Sequence, residues 1–247
     1  MRSLSGTPIP TLVFDDRAEL ARALADEIEA LVRRPTATVL GLATGSTPLD
    51  AYRELARRRR EAGLSFARTT TFNLDEFVGL PAAHAQSFRR WTREHLFQHA
   101  DFARTCFPDV EAADLEAAAR AFEDAIRAAG GIDLQILGLG RNGHVAFNEP
   151  GSARDSRTRA VELHPWTRED AARDFGGLEH VPLRAVTMGV ATILEARRLR
   201  VLALGSRKAA IVRETLRASE GPDVPSTFLR AHPDVRLLLD GEAAALL

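Results

Sequence analysis

Short apolar runs alternate with amphipathic stretches along this chain. The apolar runs are rich in Val, Leu, Ile and Thr and have the length of buried strands. They predict strands at Thr11–Phe14, Thr38–Leu42, Thr69–Asn73, Ile132–Leu137, Leu199–Leu204 and Val235–Leu239, and a strand or strand-to-helix junction at Val186–Val190. The stretches between them predict helices from Asp16 to about Val32, from Pro48 to about Arg60, over about Ser87–Gln98 and Asp114–Ala129, and after the turn Gly205–Lys208 to about Ala218.

This alternation predicts an α/β fold, a Rossmann-like and mainly parallel open sheet with helices on both faces. The segment Ser152–His180 departs from the alternation because it is irregular and charged, and it is the best candidate for a small lid. The chain has no internal repeat and no Gly/Ser-rich or Pro-rich linker. We therefore expect residues 1–247 to form a single domain.

Composition narrows the class of protein. The 247 residues carry a formal net charge of -1, whereas domains that coat nucleic acids usually have a basic excess. The first ten residues lack the apolar core of a signal peptide, and no apolar run is long enough to cross a bilayer. We expect a cytoplasmic protein that binds neither nucleic acid nor membrane.

The candidate metal ligands are few. Cys106 is the only cysteine, which excludes an intramolecular disulfide and a Cys-based metal cluster, and we expect its thiol to be inert. His95 and His99 have the i, i+4 spacing of two zinc ligands on a helix, but no third ligand is evident. The sequence therefore predicts no metal site.

Polar turns that contain glycine or acidic residues follow four of the predicted strands. In open α/β sheets, ligands bind beyond the carboxyl ends of the strands, so we expect these turns to converge on one crevice. The turns are Thr44–Thr47, Asp75–Glu76, Gly138–Glu149 and Gly205–Lys208.

Two of these turns suit a bound anion. Gly45 leaves backbone amides accessible, Ser46 and Thr47 add hydroxyl donors, and a helix N-terminus follows. Lys208 is the only lysine of a chain that otherwise uses arginine, and its compact charge suits a phosphate. The alternatives are an ordinary helix cap by Ser46 or Thr47 and a solvated surface lysine.

The other two turns suit proton transfer. His144 and Glu149 combine a group that titrates near neutral pH with a carboxylate that can orient it. Asp75 and Glu76 directly follow a strand, where a carboxylate could remove a proton from a carbon next to a carbonyl. The alternatives are a histidine bonded into a glycine-rich turn and a pair of acids that caps a helix.

Taken together, these segments resemble the glucosamine-6-phosphate deaminase family, which is related to the 6-phosphogluconolactonases. The match runs from about Leu40 nearly to the C-terminus. Its motifs are Leu-Ala-Thr-Gly-Ser-Thr-Pro at 42–48, Phe-Asn-Leu-Asp-Glu-Phe-Val-Gly-Leu at 72–80, Gly-Arg-Asn-Gly-His-Val-Ala-Phe-Asn-Glu-Pro at 140–150, Ser-Arg-Thr-Arg at 156–159 and Leu-Gly-Ser-Arg-Lys-Ala at 204–209. The second and third motifs favour the deaminase branch.

The resemblance implies a role for each site residue. Asp75 is the expected enolisation base, and His144 is the expected ring-opening group, supported by Glu149. The expected substrate and phosphate contacts are Thr44, Gly45, Ser46, Thr47, Gly138, Ala146, Arg173 and Lys208. The implied partner is a small sugar phosphate, and no metal or organic cofactor is expected.

The implied reaction converts glucosamine 6-phosphate to fructose 6-phosphate and ammonia by ring opening, isomerisation and deamination. A galactosamine 6-phosphate enzyme, a 6-phosphogluconolactonase and a sensor that has lost catalysis are the alternatives. A sensor needs only the phosphate contacts, so the joint presence of Asp75, His144 and Glu149 speaks against it.

Two departures from the family pattern bear on chemistry and regulation. Asn142 stands where some members have the Asp of an Asp–His–Glu relay, so we expect Glu149 to orient His144 largely alone. Ser152 and Arg159 match the activator-phosphate site of allosteric members, but Val161 replaces its lysine. We expect no activation by N-acetylglucosamine 6-phosphate. The sequence leaves the oligomeric state open, including a homo-oligomer.

Overall fold

A central sheet of eight strands organises the protein, whose computed structural model describes all 247 residues. Its strands are β1 (Arg2–Leu4), β2 (Thr11–Phe14), β3 (Thr38–Leu42), β4 (Thr69–Asn73), β6 (Arg104–Cys106), β7 (Leu134–Gly138), β10 (Leu199–Ala203) and β11 (Val235–Asp240). They lie in the order β1-β2-β11-β10-β7-β3-β4-β6, and every neighbouring pair is parallel except β1 with β2. The predicted mainly parallel α/β sheet is confirmed.

A second, smaller sheet stands beside the central one. It consists of β5 (Asp75–Phe77), β9 (Arg184–Thr187) and β8 (Arg159–Glu162), paired antiparallel in the order β5-β9-β8. Two of its buried apolar residues, Phe77 and Ala185, form a separate small cluster with Phe147, from the loop after β7, and Leu163, which directly follows β8. Because β5 follows β4 after one residue, the chain passes from the large sheet to the small one at the predicted acidic turn.

Seven helices connect the strands. They are α1 (Arg17–Val32), α2 (Leu49–Ala62), α3 (Phe88–His95), α4 (Leu115–Ala128), α5 (Pro165–Phe175), α6 (Val190–Leu194) and α7 (Ala209–Arg217). Caps explain two of the starting points: Asp16 accepts the amide of Glu19 at the start of α1, and Asp114 accepts two amides at the start of α4. No helix is both long enough and apolar enough to span a bilayer.

The expectation of an irregular stretch at 152–180 is wrong, because the segment contains β8 and α5. Pro165 occupies the first position of α5, where a missing amide costs nothing, and the His164 ring accepts the amide of Trp166 at 3.1 Å. Strand β8 is partly exposed along its length, so it lacks the apolar run that marks a buried strand. The predicted junction at Val186–Val190 is confirmed as the end of β9 and the start of α6.

The last strand of the chain lies inside the sheet and not at its edge. β11 lies between β2 and β10, and the sheet ends instead at β1 and β6. These two edge strands have three residues each and are largely exposed, so apolar patterning does not reveal them. The four strands β10, β7, β3 and β4 are consecutive in the sheet, and their carboxyl ends carry the four predicted turns.

Candidate active site

A cavity of about 350 Å³ opens at the carboxyl ends of the central strands. All four predicted turns contribute to its wall, as the fold rule for open α/β sheets requires. The predicted site residues that line it are Thr44, Gly45, Thr47, Asp75, Gly138, His144, Ala146 and Lys208.

Four other predicted site residues do not line this cavity. Asn142 and Glu149 contact His144 instead. Ser46 is exposed, and its carbonyl oxygen accepts the guanidinium of Arg17 at 3.0 Å. Arg173 is exposed in the last turn of α5. Direct ligand contacts by Ser46 and Arg173 remain predictions.

One wall of the cavity comes from α5, which the sequence pattern does not reveal. Its contributions fall at i, i+3, i+4, i+7 and i+8, the spacing of one helix face: Thr167, Asp170, Ala171, Asp174 and Phe175. Three of these five residues are polar, so this face is absent from a search for apolar periodicity. The candidate lid therefore contributes a helix face to the cavity.

The loop after β3 is free to meet an anion. Gly45 adopts φ +93°, a left-handed conformation that favours glycine. Pro48 takes the N-cap position of α2 with no side-chain hydrogen bond. The alternative interpretation, in which Ser46 or Thr47 caps this helix, is therefore wrong. The hydroxyls of this loop and the first amides of α2 have no partner within the chain.

Lys208 is partly buried in the cavity wall, so the alternative of a solvated surface lysine is wrong. Burial lowers the pKa of its ammonium; the nearby Asp170 opposes this change, while Arg207 and Arg141 reinforce it. Its turn is anchored from behind, since the amide of Gly205 donates to Asp240 at 2.8 Å. A cation held this way suits a phosphate dianion, which would offset the cost of burial.

A second cation, Arg141, lines the same cavity and was not predicted. Its guanidinium lies 3.2 Å from Glu169 and 3.6 Å from Asp170, both on α5. It also lies 5.0 Å from the centre of the Trp166 ring. Arg141 thus joins the glycine-rich loop after β7 to α5. It lies inside the motif at 140–150, which is the one sequence signal that could have identified it among the many arginines of this chain.

The two acids after β4 have different environments. Glu76 is buried and accepts the Ser87 hydroxyl at 2.8 Å and the amides of Phe88 and Arg89 at 3.0 and 2.9 Å. It therefore caps α3, as the alternative interpretation of this pair predicts. Asp75 lines the cavity and makes no side-chain hydrogen bond within the chain.

Burial raises the pKa of Asp75 to about 8, and the charge of Glu76 adds to the shift. Asp75 is only 7% exposed, so little water reaches its carboxylate. A carboxylate with a pKa near the working pH is a far stronger base than an ordinary aspartate. Asp75 therefore has the chemistry of a general base, and Glu76 does not.

His144 is held by its Nδ1 atom. This nitrogen lies 2.7 Å from Oδ1 of Asn142 and 3.2 Å from Oε2 of Glu149. Asn142 in turn donates its amide to Oε2 of Glu149 at 2.8 Å. Because a carboxylate only accepts, the NH₂ group of Asn142 must face Glu149 and its oxygen must face His144.

This arrangement sets the tautomer of His144. The oxygens of Asn142 and Glu149 only accept, so Nδ1 carries a proton. In the neutral imidazole, Nε2 is then an unprotonated base with no partner in the chain. The expectation that Glu149 orients His144 largely alone is incorrect, because Asn142 forms the shorter bond. Asparagine here replaces the orienting function of an acid, though not its charge.

Glu149 is ionised throughout the working pH range. Its burial alone would raise the pKa, but the hydrogen bond and charge of His144, with hydrogen bonds from Thr167 and Asn142, lower it to about 2. Two backbone features shape the loop around this relay. Ala146 is the only non-glycine residue with positive φ, at +52°, a strained conformation common at functional sites. Gly140 passes directly beneath the His144 ring.

Nearly the whole chain, including the residues of this site, is similar to known proteins. Residues 15–237 fit the profile of the family described as glucosamine-6-phosphate isomerases/6-phosphogluconolactonase. The chain belongs to this family. Within it, a protein of Arthrobacter sp. named glucosamine-6-phosphate deaminase is 46% identical over 96% of this chain and 92% of its own. A second, from Rhodopirellula baltica and with the same name, is 47% identical over 96% of this chain and 94% of its own.

Solved structures of the family agree with the fold. The structure of a monomeric glucosamine-6-phosphate deaminase superposes with a TM-score of 0.93 at 40% identity, over 96% of this chain and 99% of its own. A 6-phosphogluconolactonase from Thermotoga maritima superposes with a TM-score of 0.73 at 24% identity, over 93% and 97%, and shows the shared fold alone. The resemblance found in the motifs is confirmed, and the chain lies closer to the deaminase branch.

Proposed function

We propose that this protein is a glucosamine-6-phosphate deaminase, an enzyme that converts glucosamine 6-phosphate and water to fructose 6-phosphate and ammonia. One observation carries the proposal. A buried base, Asp75, and a histidine relay share one cavity, which is also lined by a partly buried lysine and the glycine-containing loop after β3. The names of the relatives that are 46–47% identical support the same reaction.

His144 opens the sugar ring in this mechanism. Its Nε2 takes the proton of the C1 hydroxyl and returns a proton to the ring oxygen as the C1–O bond breaks, which yields the open aldehyde. The ionised Glu149 stabilises the imidazolium that forms between these two transfers. Asn142 keeps the ring aligned by accepting from Nδ1.

Asp75 then carries the isomerisation. It removes the proton from C2, next to the aldehyde, and delivers it to C1 on the same face. A proton of the amine passes to the C1 oxygen, so the aldehyde becomes an alcohol and the amine at C2 becomes an imine of the ketose. Water adds to the imine carbon and ammonia leaves, which gives the C2 ketone. Each step moves a proton, a water or ammonia, so the proposal requires no metal and no organic cofactor.

The phosphate supplies positioning energy far from C1 and C2. We assign it to Thr44, Gly45, Ser46 and Thr47 together with Lys208. Gly138 and Ala146 would contact the sugar through the backbone, and Arg173 would reach the substrate by a movement of α5. Lys208→Ala should raise KM well above the parent value with a smaller change in kcat, and an unchanged KM would remove Lys208 from the phosphate site.

A product assay tests the function. Ammonia and fructose 6-phosphate are measured with glucosamine 6-phosphate, galactosamine 6-phosphate and 6-phosphogluconolactone as separate substrates. We expect ammonia from the gluco amine, while release only from the galacto amine would favour the epimer enzyme. Lactone hydrolysis without ammonia from either amine would make the protein a lactonase. Binding without turnover of all three would make it a sensor.

Location and assembly follow from this proposal. A sugar phosphate does not cross membranes freely, so we propose that the protein works in the cytoplasm, where its substrate is retained. A relative that is 40% identical is described as monomeric, which favours a single chain over a homo-oligomer. Light scattering would test this against the chain mass of 27.0 kDa.

A further inference from the structure

Helix α5 reaches the histidine relay through one side chain, Thr167. Its hydroxyl donates to Oε1 of Glu149 at 2.5 Å and lies 3.4 Å from Nδ1 of His144. Thr167 is only 9% exposed, and it belongs to the α5 face that lines the cavity. The only hydroxyl side chain of α5 therefore lies against both members of the predicted acid–base pair.

The direction of this hydrogen bond follows from the charges. Glu149 is ionised and can only accept, so the Thr167 hydroxyl must donate to it and turn a lone pair toward the Nδ1 proton of His144. The two carboxylate oxygens of Glu149 thus have different partners. Thr167 holds Oε1, while Oε2 receives Asn142 at 2.8 Å and faces His144 at 3.2 Å.

We propose that Thr167 is a positioning residue, which fixes the carboxylate of Glu149 so that its Oε2 faces His144. Its position on α5 makes the alignment of the ring-opening histidine depend on the docking of that helix. The statement about catalysis rests on the proposed deaminase function, whereas the statement about geometry does not.

The other charged groups of the cavity do not duplicate this role. Asp170 and Arg141 interact with each other at 3.6 Å, and Lys208 follows β10. Asp75 comes from β5, and Asp174 lies two turns beyond Thr167 along α5. None of them forms a hydrogen bond or ion pair with Glu149, whose polar partners are His144, Asn142 and Thr167.

Two variants and one matched control test the proposal. Thr167→Val keeps the shape of the side chain and removes the hydroxyl, whereas Thr167→Ser keeps the hydroxyl. Thr192 also donates to a buried carboxylate, Glu123, at 2.5 Å, but it does not line the cavity. Thr192→Val therefore removes an equivalent bond elsewhere and reports the purely structural cost.

Steady-state kinetics give the first readout. We expect Thr167→Val to lower kcat about tenfold with KM within about twofold of the parent. Thr167→Ser should recover most of kcat, and Thr192→Val should leave kcat unchanged. Because ring opening would become the slower step, the isotope effect of deuterium at C2 of the substrate should fall toward one in Thr167→Val. An unchanged kcat, a loss that serine does not rescue, or an unchanged isotope effect would overturn the catalytic role.

Nuclear magnetic resonance gives a second readout that is independent of activity. The Nδ1 proton of His144 is protected from exchange with water by its hydrogen bonds. It should therefore give a downfield signal in the parent and in Thr192→Val. We expect exchange with water to remove or broaden it in Thr167→Val and serine to restore it. Persistence of the signal in Thr167→Val would overturn the positioning role. If the parent releases no ammonia, the proposed function fails, and this signal alone decides the role of Thr167.

Discussion

Two neighbouring acids, Asp75 and Glu76, show how strongly position determines the role of a carboxylate. Glu76 caps a helix, whereas Asp75 has no hydrogen-bond donor and little water, so burial raises its pKa to about 8. As the base it must be ionised. We therefore expect kcat/KM of the free enzyme to rise with pH up to about 8 and then level. Asp75→Asn should abolish deamination while phosphate-ligand binding persists, and an active Asp75→Asn enzyme would exclude Asp75 as the base.

The raised pKa of Asp75 also makes the stability of the folded protein depend on pH. The folded protein keeps the proton of Asp75 to about pH 8, whereas the unfolded chain loses it near 3.8. The folded state thus binds more protons between these values, and this residue's contribution to stability is lost as pH rises through that window. The Tm of Asp75→Asn minus the Tm of the parent should therefore be larger at pH 8 than at pH 5. An equal difference at both pH values would contradict the raised pKa.

The close approach of Gly140 to the imidazole ring of His144 leads to a testable prediction. A Cβ atom at this position would lie 2.3 Å from three atoms of the His144 ring. The ring cannot move aside without losing its bonds at Nδ1, so Gly140→Ala should lower kcat about a hundredfold while the protein stays folded. Gly241→Ala, where a Cβ meets no atom within 4 Å, is the control. A near-normal kcat in Gly140→Ala would show that the ring has a second productive position.

Residue types and spacing allowed part of this site to be predicted. The turn after a buried strand points to His144 and Glu149, and the anion loop and Lys208 follow from the same rule. Arg141 and Thr167 could not be identified as site residues, because their contacts depend on where α5 docks. Arg141 lies inside the motif at 140–150 but resembles the many other arginines of the chain, and Thr167 lies outside every motif. Nor could the sequence show that Asp75 faces the cavity while its neighbour caps a helix.

At the level of elements, the start of α3 depends on one buried carboxylate. Glu76 accepts the Ser87 hydroxyl and three backbone amides, those of Phe77, Phe88 and Arg89. Glu76→Gln should lower the free energy of unfolding by about 2–3 kcal/mol, because an amide places donors against donors. It should also lower the pKa of Asp75, since a charge that raises it is lost.

Two measurements check the role of this carboxylate. Thermal unfolding should show a fall in Tm of several degrees for Glu76→Gln, and the pH profile of kcat/KM should move to lower pH. Glu94→Gln on the same helix removes a partly exposed ion pair with Arg90 and should change Tm very little. Equal Tm changes for the two variants would mean that Glu76 does not anchor α3.

Helix α5 shows where element prediction reaches its limit. Its ends carry recognisable signals, with Pro165 at the start and Gly176 in a left-handed conformation at the end. Its cavity face is mostly polar, so apolar periodicity identifies neither the helix nor its orientation. A helix that lines a polar cavity lacks the apolar stripe by which core-facing helices are recognised.

For the whole molecule, the strands of the sheet are easier to predict from the sequence than the order in which they lie. The buried strands appear as apolar runs, and the parallel arrangement follows from the helices between them. The order β2-β11-β10-β7 places the last strand inside the sheet, which no local pattern specifies. The small sheet is harder still to predict, because its three strands come from distant parts of the chain and each is only three or four residues long.

Regulation is also a property of the whole molecule, and the small sheet bears on it. Arg159 donates to Ser152 at 3.3 Å and to Asn148 at 3.0 Å, so these polar groups already have partners within the chain. Val161 on β8 packs against the small apolar cluster and pairs with Ala185. The position that would need a cation to hold an activator phosphate is therefore committed to apolar packing.

We expect a hyperbolic dependence of rate on glucosamine 6-phosphate that N-acetylglucosamine 6-phosphate leaves unchanged. The proposed monomer, with a mass near 27.0 kDa in solution, has no second active site to which the first could be coupled, so it would show no cooperativity. Rate curves with and without the N-acetyl compound, together with light scattering at the assay concentration, test both parts. A sigmoidal curve that the compound makes hyperbolic would contradict the first part. It would also require an activator site built without a cation at Val161.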